Sequence, residues 1–156
     1  MKITLLTVGK TTDKQISPLV NRYVDRLAHY ASFSIKSLPD PKISAKDSVE
    51  KQRQAEAQNI LAAISPADHV VLLDERGNQP SSDEFARLID KHQIQGTRSI
   101  VFIVGGPFGF SPEVYRRAND MMALSRMTLT HEMVRLFFVE QLYRAFTIIR
   151  GENYHH

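Results

Sequence analysis

The amino-acid sequence predicts an α/β fold, a mostly parallel sheet covered by helices on both faces. Two observations carry this. Short apolar runs rich in β-branched residues alternate along the chain with helical patterns, the mark of strands joined by crossover helices. The clearest run, residues 100–104, has no polar side and reads as a strand buried on both faces. It breaks into Gly105-Gly106-Pro107-Phe108-Gly109, and Ser111-Pro112-Glu113 then supplies a helix N-cap, a first-turn proline and a first-turn acid. A strand, a glycine loop and a helix in that order build a ligand site at the carboxyl end of a sheet.

Each element follows in turn. Residues 2–8 read as a buried strand ending at Gly9, and Ser17-Pro18 opens a helix with Leu19, Val20, Tyr23, Val24 and Leu27 at helical spacing. Residues 33–38 alternate as a half-exposed strand, ended by Pro39-Asp40-Pro41. The polar stretch 42–52 reads as a loop or frayed helix start, and a strong helix former runs from Val49 to Ser65-Pro66. Residues 69–74 form the next strand, with Glu75-Arg76-Gly77-Asn78 as the turn after it. Ser81-Ser82-Asp83-Glu84 caps a helix that turns Phe85, Leu88 and Ile89 inward and closes near Gln95-Gly96. After the glycine loop come a short helix from Pro112 to about Asn119, a last strand at 121–124, and a long helix over 131–150 capped by Thr130. Between Met133 and Ile149 that helix has almost no polar face. It needs cover on more than one side, from a partner subunit or from its own chain.

The 156 residues show no repeat, linker or low-complexity segment, so a single domain over 1–156 is expected. There is no cysteine, which excludes disulfides and thiolate metal sites and suits a reducing cytoplasm. No run is long enough to cross a membrane, and His29, His69 and His92 lack ligand spacing, so neither membrane nor metal is expected. The net charge of +3 is a weak pointer to nucleic acid. Its distribution says more: between Tyr115 and Arg150 every lysine-or-arginine position is an arginine, namely Arg116, Arg117, Arg126, Arg135, Arg144 and Arg150. A planar guanidinium suits phosphate and base stacking, although a solvated helix face has the same composition.

The glycine loop lacks the G-x-G-x-x-G spacing of a dinucleotide site, and no Gly-Lys-Ser/Thr follows it. A plain tight turn is therefore one reading. The loops 73–77 and 124–129 fall at the same sheet edge, which favours a ligand. Ser125 and Thr128 are suited to a ribose or amino-acid portion, and Leu73 and Leu129 to the faces of a flat base; singly, Leu73, Met127 and Leu129 are each more often core residues.

Leu-Leu-Asp-Glu-Arg-Gly (72–77), Ile-Val-Gly-Gly-Pro-Phe-Gly (103–109), Leu-Ser-Arg-Met-Thr-Leu-Thr-His (124–131), Glu-Gln-Leu-Tyr-Arg-Ala-Phe (140–146) and Asn-Tyr-His (153–155) together resemble the ribosomal large-subunit pseudouridine methyltransferases. This is the small branch of the SPOUT superfamily, and the resemblance covers the whole chain. It implies a C-terminal trefoil knot that holds S-adenosylmethionine, with contacts at Leu73, Gly105, Leu124, Ser125, Arg126, Met127, Thr128 and Leu129. It also implies a homodimer that methylates N3 of a pseudouridine in 23S rRNA on the assembled ribosome. The same fold with another RNA target, or a non-catalytic ribosome-binding protein, are the alternatives.

Methyl transfer from a sulfonium is an in-line displacement, so positioning supplies much of the rate. An imide N3–H must lose its proton before it attacks. The resemblance offers His155 as base, Tyr154 as stacking or hydrogen-bonding partner, and Arg135 or Arg144 as stabiliser of the anion. The chain departs from the family pattern at Thr130, where proline is usual, and at His156, where a stronger base is usual.

Overall fold

The computed structural model describes residues 1–42, 44 and 46–154. Five strands, β1 (Lys2–Val8), β2 (Ser32–Leu38), β3 (His69–Asn78), β4 (Ser99–Val104) and β5 (Asp120–Met122), form one sheet in the order β2-β1-β4-β3-β5. Every pairing is parallel, so each of the four connections must cross a face of the sheet; one helix does this in each, and a fifth follows the last strand. These are α1 (Ile16–Leu27), α2 (Val49–Ala63), α3 (Ser82–Ile94), α4 (Pro112–Arg117) and α5 (His131–Ile149).

The alternation of side chains along each strand makes two cores. Ile3, Leu5, Val71, Ile100, Phe102 and Val104 face α1, α3 and α5, where they meet Val20, Leu27, Phe85, Ile89, Phe138 and Leu142. Leu6, Val70, Leu72, Val101 and Ile103 face the other way, onto Ala57, Ile60 and Val114 of α2 and α4. β4 is buried along its length, as its unbroken apolar run requires, and it lies centrally between β1 and β3.

Helix ends match their chemistry. Ser48, Ser81, Ser111 and Thr130 each accept a backbone N–H as N-caps, and Ser81 with Glu84 completes a reciprocal capping box. The polar stretch ahead of α2 thus resolves into a cap at Ser48 and a helix from Val49. α5 lies against both α1 and α3, so its own chain buries Phe138, Val139, Leu142, Ala145 and Phe146, while Met133 and Phe137 remain exposed.

Two boundaries differ from expectation. β3 does not end in a turn at Glu75 but continues to Asn78. The register with β5 slips between Leu73 and Asn78, and the residues between bulge outward, with the Arg76 N–H donating to Asp74 Oδ1 at 2.9 Å. Gly77 makes this possible: a Cβ there would lie 2.5 Å from the Met122 nitrogen. β5 begins and ends earlier than expected, because the Asn119 N–H bonds to the Val70 carbonyl (2.8 Å) and its side chain accepts the Val70 N–H. Leu124 is thereby released into the loop that follows. Among the described residues no helix is long and apolar enough to cross a membrane, and no group of three His, Cys, Asp or Glu could hold a metal.

Candidate active site

The carboxyl ends of β3, β4 and β5 open into one cavity of ≈ 840 Å³, a size that accepts a small organic ligand. Leu73, Gly105, Leu124, Ser125, Met127, Thr128 and Leu129 all line it, so seven residues expected from separate stretches of sequence come together. Arg126 is exposed and does not line it.

The glycine loop is braced from below. A Cβ on Gly105 would meet the Phe110 ring at 2.9 Å, and one on Gly106 would fall 2.3 Å from Glu56 Oε1, so a side chain at either position would require Phe110 or the Glu56 carboxylate to shift. Gly109 takes φ +73°, the left-handed conformation that glycine adopts without strain. Phe110 packs edge-on against Tyr115, ring centroids 5.7 Å apart. The Tyr115 hydroxyl bonds to the Asp74 carboxylate, and Arg76 pairs with the same carboxylate and stacks over the Tyr115 ring. The end of β3 and the start of α4 are thus tied across the cavity rim.

Sequence reasoning left out several walls. His131 at the start of α5 lines the cavity, as do Asp74, Phe108, Tyr115 and Arg53. Arg53 comes from α2, on the other side of the sheet, and its Nε is buried without a hydrogen-bond partner among the described residues. Nothing in the helix pattern of α2 sets that residue apart.

The residues expected at the chemistry lie elsewhere. Arg135 is 1 % exposed, donating through Nη1 to Thr11 Oγ1 (3.0 Å) and through Nη2 to the Val8 carbonyl (2.8 Å). Its neighbour Glu132 accepts the Thr12 N–H at 2.7 Å and the Asp13 N–H at 3.0 Å. The first turns of α5 therefore hold the β1–α1 loop, and Arg135 lines no part of the cavity.

Tyr154 packs against the far end of α5. Its ring meets Tyr143 edge-on at 4.7 Å, Arg144 lies over it at 4.9 Å, and its hydroxyl reaches Tyr23 (3.2 Å) and Glu140 (3.3 Å). Burial, the Tyr23 hydrogen bond and the negative Glu140 push its phenol well above the usual tyrosine range. The segment leading to it is stapled by Tyr30, whose hydroxyl donates to Glu152 at 2.6 Å, so the chain up to Tyr154 is held on the fold. His155 and His156 lie outside the described residues.

The family model described as "Predicted SPOUT methyltransferase" matches residues 1–155. This chain is a SPOUT methyltransferase. It is 50% identical over 156 residues to "Ribosomal RNA large subunit methyltransferase H" of Porphyromonas gingivalis, covering 100% of this chain and 99% of the relative. The protein of the same name from Christiangramia forsetii is 47% identical over 100% of this chain and 99% of its own length. That of Cytophaga hutchinsonii is 45% identical with both chains fully covered. In this SPOUT enzyme, then, a cavity at the carboxyl sheet edge and an aromatic–arginine cluster at the far end of α5 are separate features of one subunit. From His131 to Arg144 the helix rises about 20 Å.

Proposed function

We propose that this enzyme transfers a methyl group from S-adenosylmethionine to N3 of a pseudouridine in 23S rRNA within the assembled ribosome. The observation that carries the reading is the cavity at the ends of β3, β4 and β5, together with the full-length identity to proteins named as rRNA large-subunit methyltransferases. The walls fit the cofactor. Leu73 and Leu129 offer apolar faces for adenine, Ser125 and Thr128 offer hydroxyls, the Gly105–Gly106 backbone is bare of side chains, and Arg53 brings a guanidinium with an unpartnered Nε. Bound there, the cofactor supplies a methyl group on a positively charged sulfur. The cofactor contacts proposed are Leu73, Gly105, Leu124, Ser125, Met127, Thr128 and Leu129, with Arg126 left at the rim; a knotted C-terminal segment in one catalytic domain is part of the same reading.

The remaining work falls to the chain. In the transfer the N3–CH3 bond forms as the carbon–sulfur bond breaks, its electron pair goes to sulfur, and the N3 proton goes to a base. Tyr154 keeps its proton, so it serves as hydrogen-bond donor and stacking surface, and His155 is assigned the proton. Arg135 is consumed by the β1–α1 loop; the role of stabilising the imide anion passes to Arg144, which lies beside Tyr154.

Because Arg144 stands about 15 Å along α5 from Val134 at the cavity wall, one subunit does not bring Arg144 to the cavity. A homodimer does, with the tail of one copy facing the cavity of the other, and the exposed Met133 and Phe137 of α5 suit such contact. The test is transfer of labelled methyl groups to ribosomes lacking the modification, with naked rRNA and pseudouridine-free ribosomes alongside. Label confined to pseudouridine-containing ribosomes is expected. Tight cofactor binding without transfer would point to another RNA, and no cofactor binding to a ribosome-binding role.

A further inference from the structure

Arg53 is the part of the cavity wall that the fold leaves unsatisfied. It stands one turn ahead of Glu56 on α2, and residues three apart share a helix face. Since Glu56 lies against Gly106, Arg53 reaches the cavity on its glycine-loop side. Its Nε is enclosed without an acceptor, a state that is costly for any buried donor and more so for a charged one. Its ion-pair contact among the described residues is with Glu50, 3.8 Å from Nη1 and 60 % exposed. That distance is too long for a hydrogen bond, and so exposed a pair holds the guanidinium weakly. The second arginine at the cavity is engaged. Arg76 donates to Asp74 through Nε (3.1 Å) and Nη2 (3.2 Å), and Tyr115 bonds the same carboxylate. No lysine lines the cavity among the described residues. Arg53 is therefore the permanent cation there that has no acceptor of its own.

We propose that Arg53 binds the carboxylate of the methyl donor's amino-acid end, and so makes the site selective for S-adenosylmethionine with that group intact. This rests on the cofactor reading given above. S-adenosylmethionine carries one negative group, the carboxylate, beside an ammonium and a sulfonium. A guanidinium offers such a group two parallel N–H donors. A site whose donors are left unpaired by a ligand lacking the acceptor discriminates against that ligand. Leu73, Leu129, Ser125 and Thr128 meet the nucleoside whatever the other end of the molecule carries, so recognition of the carboxylate is a separate property, and it falls to Arg53. Glu75, on the bulge of β3, is an exposed acid that also lines the cavity and provides an internal control for the charge of the wall.

The experiment measures by calorimetry how tightly the wild-type chain, Arg53→Met, Arg53→Gln and Glu75→Gln bind S-adenosylmethionine and its decarboxylated form, which differ by the carboxylate alone. Methionine and glutamine are both good helix formers, so α2 is kept and either Arg53 variant decides by itself. Measurements are made at about pH 8, above the ordinary imidazole range. The wild type should bind S-adenosylmethionine about tenfold more tightly than the decarboxylated form, the worth of one charge-assisted pair. In Arg53→Met and Arg53→Gln this preference should shrink to about twofold or less, through weaker binding of S-adenosylmethionine, while Glu75→Gln should retain it. A wild type without the preference, Arg53 variants that keep it, an equal loss of affinity for both ligands, or a Glu75→Gln chain that loses it to the same degree would each overturn the proposal. Unchanged cofactor binding with weakened ribosome binding in the Arg53 variants would overturn it in favour of a contact to RNA phosphate. A wild-type chain that binds neither ligand overturns the cofactor reading itself, whereas equal binding of both overturns the role of Arg53 alone.

Discussion

At the scale of the residue, burial separates groups that look alike in sequence. Glu132 and Glu56 are both acids beside glycine or polar loops, yet their environments move them in opposite directions. Backbone N–H groups from Thr12 and Asp13 lower the pKa of Glu132, and burial raises that of Glu56. A raised folded-state pKa means that the folded protein holds this proton more tightly than the unfolded chain. The contribution of Glu56 to stability is therefore largest below the ordinary glutamate range and declines as pH rises through the raised value. Glu56→Gln should gain stability relative to the wild type toward alkaline pH, and denaturant melts across that range will show it. Glu132 has the reverse sign, its contribution being present at neutral pH and lost in acid, so Glu132→Gln should lower the melting temperature at neutral pH and converge on the wild type below about pH 4. At the cavity rim, Tyr115→Phe keeps the ring against Phe110 but removes the hydroxyl that bonds the Asp74 carboxylate, leaving only the Arg76–Asp74 pair. Its expected cost is about 1 kcal/mol of stability, with weaker cofactor binding by calorimetry.

At the scale of the element, hydrophobic period and caps explain nearly all of the order of strands and helices. β1, α1, β2, α2, α3 and α5 lie within a residue or two of where their apolar spacing puts them, and Ser48, Ser81 and Thr130 cap α2, α3 and α5 as their sequences suggest. Capping is local chemistry, so Ser81→Ala should cost about 1 kcal/mol by removing the box with Glu84. The misplaced boundary of β3 is different in kind. Glu75-Arg76-Gly77-Asn78 has the composition of a turn, and only the backbone of β5, brought alongside from more than forty positions later, makes it a strand. Gly77→Ala should cost about 1–3 kcal/mol through overpacking against Met122. It should also loosen the 124–129 loop that β5 feeds, read as weaker cofactor affinity. The site was legible to the same degree. The three loops could be assigned because parallel strands share an edge, whereas Arg53 and Glu56, which reach that edge from the opposite face, follow a helical pattern indistinguishable from an exposed one. The separation of Tyr154 from the cavity likewise follows from the length of α5 and from Tyr23 and Tyr143 capturing the phenol, neither of which a terminal motif reveals.

At the scale of the whole molecule, the two halves of the proposed chemistry stand at opposite ends of α5, and a dimer with exchanged ends reconciles them. Subunits carrying Gly105→Arg, where even a Cβ meets Phe110, and subunits carrying Tyr154→Ala should each be inactive alone. Mixed and allowed to exchange, they should recover about a quarter of wild-type transfer, because half of the random dimers pair one intact cavity with one intact tail. No recovery would sink the exchanged arrangement. The sheet order carries a further consequence, for how the chain acquires its shape. The strand at the centre of the sheet is the fourth to be synthesised, and it must enter between β1, made almost a hundred residues earlier, and β3. Until it arrives, β1 with β2 and β3 with its helix are two fragments with unpaired edges and nothing to join them. Closing the sheet thus depends on a pairing nearly a hundred residues apart, and a slow, late closing step is the natural outcome for a protein with no hairpin from which to start.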